Sequence, residues 1–113
     1  MVTEESFRKL ALSFPETVEL PHFEKTSFRV NKKIFATLDE KNNRACLMLS
    51  EVDQSVFAAF DKYVIYPVPN KWGKHGATFV ELKVVPKSML KDAMTQAYKK
   101  ATTKKPTSRS KPE

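Results

Sequence analysis

Between Thr26 and Leu49 three apolar-rich runs follow one another across links too short for anything but antiparallel strands. Thr26-Ser27-Phe28-Arg29-Val30 alternates polar and apolar residues, and Lys33-Ile34-Phe35-Ala36-Thr37-Leu38 follows after only Asn31-Lys32. Asp39-Glu40-Lys41-Asn42-Asn43 then separates it from the run Arg44 to Leu49. Alternation at period two reads as strand, and a two-residue link has no room for the crossover a parallel pair needs. Asn31 tolerates the left-handed backbone that such a turn requires. Thr17-Val18-Glu19-Leu20 also alternates and leads into the meander. A sheet of this kind has one apolar face, which other elements must cover.

Helical segments supply that cover. Thr3 is placed to cap a helix over residues 4–13, with Glu4 and Glu5 in its first turn and Phe7, Leu10, Ala11 and Phe14 at helical spacing before Pro15. Ser50 opens a second helix over 51–60, with Val52, Val56, Phe57 and Phe60 as its apolar positions. Tyr63 to Tyr66 reads as a strand ended by Pro67, residues 67–76 as a loop, and Ala77 to Val84 as a further strand. Pro86 precedes a last helix with Leu90, Ala93, Met94 and Ala97 on one stripe. The predicted class is α+β: two layers, an antiparallel sheet of about five strands, helices packed against it, in the order α, three or four strands, α, two strands, α.

The chain has 113 residues, enough for one domain, here taken as residues 1–101. Beyond Ala101 no hydrophobic residue occurs, and residues 102–113 are expected to form a disordered basic tail. The net charge is +7, but residues 99–113 hold +5 of it and residues 1–98 only +2. The single cysteine, Cys46, rules out an internal disulfide and any multi-cysteine metal motif, and reads as a small buried hydrophobe. Met1 to Glu5 has no apolar core of a signal peptide, and no run is long enough to span a bilayer, so a cytoplasmic, membrane-free protein is expected.

The segment Pro21-His22-Phe23, then Ser27-Phe28-Arg29, then Lys33-Ile34-Phe35-Ala36 resembles the MmcQ/YjbR family of small bacterial proteins. A Phe14-Pro15-Glu16 step before it, and Tyr66-Pro67, a Trp72-Gly73 loop and a C-terminal helix after it, extend the likeness to roughly residues 4–100. The resemblance implies a two-layer α+β fold similar in topology to secretion-chaperone domains. It also implies DNA binding through a "double wing" arrangement.

Two clusters suit such a role. Lys25, Arg29, Lys32 and Lys33 lie within nine residues around the Asn31-Lys32 turn, as a basic hairpin that can follow a phosphate backbone. In the loop Lys71-Trp72-Gly73-Lys74-His75-Gly76, an exposed Trp72 can stack on a base while Lys71, Lys74 and His75 meet phosphates. Each has a plainer structural reading: a solvated hairpin with edge lysines, and a tryptophan folded back over the core. His22 reads as a structural histidine. No nucleophile elbow, Cys-His pair, metal-ligand set or phosphate-binding loop occurs, so no enzyme, catalytic residue, metal or cofactor is expected. The expected function is a non-enzymatic nucleic-acid-binding domain, monomeric or weakly dimeric, holding DNA weakly or non-specifically through phosphates. The alternative is a protein-interaction, chaperone-like or small-ligand module, its surface lined by Phe23, Phe28, Phe35, Tyr63, Tyr66 and Trp72.

Overall fold

Each hydrophobic run finds its place in one six-stranded antiparallel sheet. The computed structural model describes residues 2–102. The helix α1 (Glu4–Leu12) is followed by β1 (Val18–His22), β2 (Lys25–Val30), β3 (Lys33–Asp39) and β4 (Arg44–Met48). After α2 (Glu51–Phe60) come β5 (Ile65–Pro67), the single turn α3 (Lys71–Lys74), β6 (Ala77–Glu81) and α4 (Lys87–Thr102). The sheet order is β1-β2-β3-β4-β6-β5, so the chain leaves the meander at β4, passes through α2 and returns with β6 beside β4. The α+β class holds. The strand from Val18 extends through Pro21, which an edge strand tolerates because its outer N–H groups need no partner.

The caps form where the sequence places them. Thr3 Oγ1 accepts from the Ser6 N–H at 3.0 Å, and Ser50 Oγ accepts from the Asp53 N–H at 3.1 Å. Val30 pairs with Lys33, so Asn31 and Lys32 are the whole β2–β3 turn, both with positive φ (51° and 68°). A bulge between Phe28 and Arg29 leaves Phe35 without a cross-strand partner, and as a result both Phe35 and Ala36 are buried in the core.

One face of the sheet carries that core. Phe28, Leu38, Leu47, Ile65 and Val80 pack against Phe7 and Ala11 of α1 and Leu90, Ala93, Met94 and Ala97 of α4. Phe7 meets Phe28 edge-on at 5.6 Å, Phe14 stacks on Tyr98 at 4.8 Å, and the Tyr98 hydroxyl donates to the Pro15 carbonyl at 2.7 Å. That bond ties the end of α4 to the end of α1.

Four expectations change, the first being that the strand read over Tyr63 to Tyr66 runs Ile65–Pro67 and includes Pro67, with residues 62–64 in a turn. Residues 67–76 include the helical turn α3, closed by Asn70. The strand from Ala77 stops at Glu81, after which residues 82–84 turn toward α4. Helix α2 packs with Phe57 and Gln54 inward, while Val52, Val56 and Phe60 are each more than half exposed. Gln54 goes inside because its amide finds three acceptors there, described below. The expected tail lies, beyond Thr102, outside the described residues. Among the described residues no helix is long and apolar enough to cross a membrane.

Candidate nucleic-acid interface

The strand alternation that sends Ala45 and Leu47 into the core sends Arg44, Cys46 and Met48 to the opposite face, which α1 and α4 leave open. Cys46 pairs with Thr37 on one side and Phe79 on the other, and Tyr66 lies beyond Phe79, so one row of side chains crosses the sheet. On this face lies a groove of about 620 Å³. Ile34, Thr37, Cys46, Met48, Ala77 and Phe79 line it from the sheet, His22 and Lys25 from one flank, and Val68, Asn70 and Trp72 from the other. No carboxylate lines it.

The Trp72 flank is held by backbone geometry. Asn70 Oδ1 accepts from the Trp72 N–H at 2.8 Å, and Gly73 N–H returns to the Asn70 carbonyl at 3.0 Å. A Cβ on Gly73 would sit 1.9 Å from the Val68 carbonyl oxygen; one on Gly76, whose φ is +102°, would sit 1.8 Å from that of Leu49. Buried Gln54 adds side-chain bonds from α2: its Nε2 lies 2.8 Å from the Gly73 carbonyl and 3.1 Å from both the Ala77 carbonyl and Thr78 Oγ1. Two amide protons serve three acceptors, so one is shared. Held this way, Trp72 lines the groove and is still 59% exposed.

Beside the groove, the floor residue Phe79 is held against a charged cluster. The Arg44 guanidinium carbon lies 3.9 Å from the Phe79 ring centroid, and Nη1 reaches the Tyr66 hydroxyl at 3.4 Å and Glu81 at 3.9 Å. The Tyr66 hydroxyl donates to Glu81; burial and that bond both push its pKa up. Burial likewise pushes the Cys46 thiol up, against weaker downward pulls from the Thr78 backbone, Lys25, Thr37 and Arg44.

The residues expected to form two basic tips are distributed differently. Lys25 begins β2 and Lys32 follows its far end, so five strand steps of about 3.3 Å each separate Lys25 from Val30 at the tip. Lys25 faces the groove; Lys32 is exposed at the tip. Arg29 is half-buried, its Nε donating to Ser27 Oγ at 2.9 Å. Lys33 lines a second depression of about 670 Å³ with Lys99 and Lys100 of α4 and Asp53. Lys71 and Lys74 line a third, of about 500 Å³. The second shares Ile34 and Met48 with the groove, and the third shares Val68 and Asn70, so the three adjoin. His75 caps α3 and is exposed, outside all three linings.

Sequence pattern alone gives Thr37, Cys46 and Phe79 no binding role. His22, which the sequence reads first as a structural histidine and next as a ligand-facing one, meets Phe23 edge-on at 4.9 Å and lines the groove. Cys46 lies half-buried on the groove floor, not in the core, because strand alternation turns it away from Ala45 and Leu47. The one available signal was the outward phase of β3, β4 and β6. Of the six aromatics proposed for a partner surface, Phe28 and Phe35 are core residues. Among the described residues no three His, Cys, Asp or Glu side chains converge as a metal site would require.

A search of curated proteins finds no match. Among solved structures, the crystal structure of Deinococcus radiodurans DR2400, which carries a DUF419 domain, is similar, with a TM-score of 0.80 and 22% identity over 92% of this chain and 81% of that one. At that identity the likeness speaks for the fold. The YjbR family model matches residues 12–100, the whole span from the end of α1 through most of α4 and every wall of the groove. The chain belongs to the YjbR family.

Proposed function

We propose that the chain is a non-enzymatic nucleic-acid-binding domain that lays a strand of DNA along the open face of its sheet and over the end of the sheet toward α4. One observation carries this reading: three adjoining depressions lined by six lysines, His22 and Trp72, with Asp53 as the one carboxylate among their linings. Lysines spaced along a tract suit successive phosphates, and an exposed indole suits the face of a base. Arg29, Lys32 and His75 stand outside the linings, where Arg29 and Lys32 would add charge at the margins. The sparse charge of the body favours weak, salt-sensitive binding.

Trp72 is the only tryptophan, so its fluorescence reads the groove directly. Titration of a chain ending at Thr102 with DNA at low salt should quench Trp72. The fitted affinity should fall with salt, with a slope of about −0.7 to −0.9 per phosphate engaged. Trp72→Ala should weaken binding by about 1–3 kcal/mol. Binding seen with residues 103–113 attached and lost without them would overturn the reading for the domain.

A second reading has its own support. Ile34, Met48, Ala77 and Phe79 make much of the groove floor apolar, and its volume falls within the range of small-ligand sites of roughly 300–1,000 Å³. The exposed stripe Val52, Val56 and Phe60 on α2 suits a protein partner. Silence of Trp72 toward DNA at low salt would select this alternative.

A further inference from the structure

The β1–β2 turn holds an aromatic side chain that the fold does not use. His22 and Lys25 are cross-strand partners, so Phe23 and Glu24 are the two central residues of the turn. Phe23 has φ +59°, and Glu24 is not among the positive-φ residues. A left-handed first central position in so tight a turn favours glycine, and a bulky L-residue is strained there. Nothing evident offsets that strain: Phe23 is 94% exposed, and its ring contact is the edge of His22. The other two-residue turn shows the ordinary solution, placing Asn31 at the corresponding position. Strain and full exposure in one aromatic residue point to a use outside the fold.

Its position points to that use. His22, which Phe23 touches, and Lys25 line one flank of the groove; Trp72 lines the other, with Lys71 Nζ 5.9 Å from the indole centroid. Each flank therefore carries an exposed aromatic ring and a lysine close in sequence. We propose that Phe23 is a second stacking platform paired with Trp72, and that the ligand class is single-stranded nucleic acid. Bases in a duplex already cover each other's faces, whereas an unpaired strand offers a face to each ring while its phosphates meet the lysines. This inference rests on the nucleic-acid reading of the groove and specifies its substrate.

The test uses the full chain, an oligothymidylate of about 12 nucleotides, within the range of single-strand site sizes, and a duplex of the same length. Phe23→Gly should weaken single-strand binding at least about fivefold, the lower end of one stacked base. It should also raise Tm, by about 4–8 °C for each kcal/mol of strain relieved. Phe23→Tyr, which keeps the ring, should bind within about twofold of wild type, and duplex binding should not respond to either change. Single-strand binding by Phe23→Gly equal to wild type would overturn the inference and leave the groove reading standing. A Tm that does not rise would show the ring to be structural and overturn it as well. Failure of the wild-type chain to bind either nucleic acid would overturn the groove reading, and this inference with it.

Discussion

The side-chain amide of Gln54 donates to the Gly73 carbonyl at 2.8 Å, tying the middle of α2 to the single helical turn that carries Trp72. The same amide reaches the Ala77 carbonyl and Thr78 Oγ1, so one side chain joins α2, α3 and β6. Leucine at this position keeps most of the volume and removes every donor. Gln54→Leu removes the second donor to the Gly73 and Ala77 carbonyls, which keep the Gly76 and Val68 N–H groups, and should cost about 0.5–1.5 kcal/mol in urea unfolding. Trp72 emission in the folded variant should shift toward that of the unfolded chain, because its loop loses its anchor. A loss below about 0.5 kcal/mol would mean the amide network carries no weight.

The two glycines of this loop fail for different reasons when substituted. Gly73 has ordinary backbone angles, so Gly73→Ala is purely a steric problem, its Cβ arriving 1.9 Å from the Val68 carbonyl oxygen. Gly76→Ala meets the Leu49 carbonyl at 1.8 Å and also needs a φ of +102°. Overpacking costs about 1–3 kcal/mol and a disfavoured backbone about 1–3 more. Gly76→Ala should therefore be the more destabilising of the two in denaturant melts. The reverse order would show that φ at Gly76 relaxes freely.

How far this was legible in sequence depends on how local each determinant is. The Asn31-Lys32 turn, the Thr3 and Ser50 caps and the stripe of α4 follow from contacts within a few residues, and all form. The orientation of α2 does not. Val52, Val56 and Phe60 share one apolar stripe, but only the carbonyls at Gly73 and Ala77, distant in sequence, explain why Gln54 faces inward instead. The basic cluster parts for a geometric reason: Lys25 and Lys33 are close in sequence, yet a hairpin puts them at opposite ends of β2. The groove itself needs β6 beside β4, a crossover that no local pattern encodes.

That geometry separates two of the residues expected at the basic tips. Lys25 lines the groove and His75 does not. If a strand lies along the groove, Lys25→Gln should weaken binding and reduce the salt slope by about 0.7, one phosphate on a single strand. His75→Gln should leave the slope unchanged. The comparison needs only parallel titrations at several salt concentrations, and equal effects from both variants would count against the groove as the strand's path.

Asp39 gives the domain an acid-sensitive contact. Burial alone would raise its carboxyl, but hydrogen bonds from Asn42, with Lys25 and Arg44 nearby, bring it below its ordinary value of 3.8. A carboxyl depressed in the folded state stabilises above its unfolded pKa and loses that contribution as pH falls through the folded value. Asp39→Asn should therefore be less stable than wild type near neutrality, with the gap closing below about pH 4. Thermal melts of both proteins from neutral to acid pH check the convergence; a constant gap would assign the loss to the Asn42 geometry alone.

Cys46 offers an independent reading of the groove floor. Its thiol faces the groove, and burial raises its pKa from an ordinary 9.0, so little thiolate exists at neutral pH. Alkylation by iodoacetamide in the folded protein should be slower than in urea at the same pH, and its rate should keep rising with pH beyond the point where that of the unfolded chain levels off. A ligand lying across Thr37 and Phe79, which flank Cys46 on the neighbouring strands, must cover the sulfur. Oligonucleotide at saturating concentration should therefore slow the reaction further in a chain ending at Thr102. Binding that leaves the alkylation rate unchanged would place the strand on the lysines outside the groove. The thiol thus separates contact with the floor from attraction to charge, which a salt titration alone cannot do.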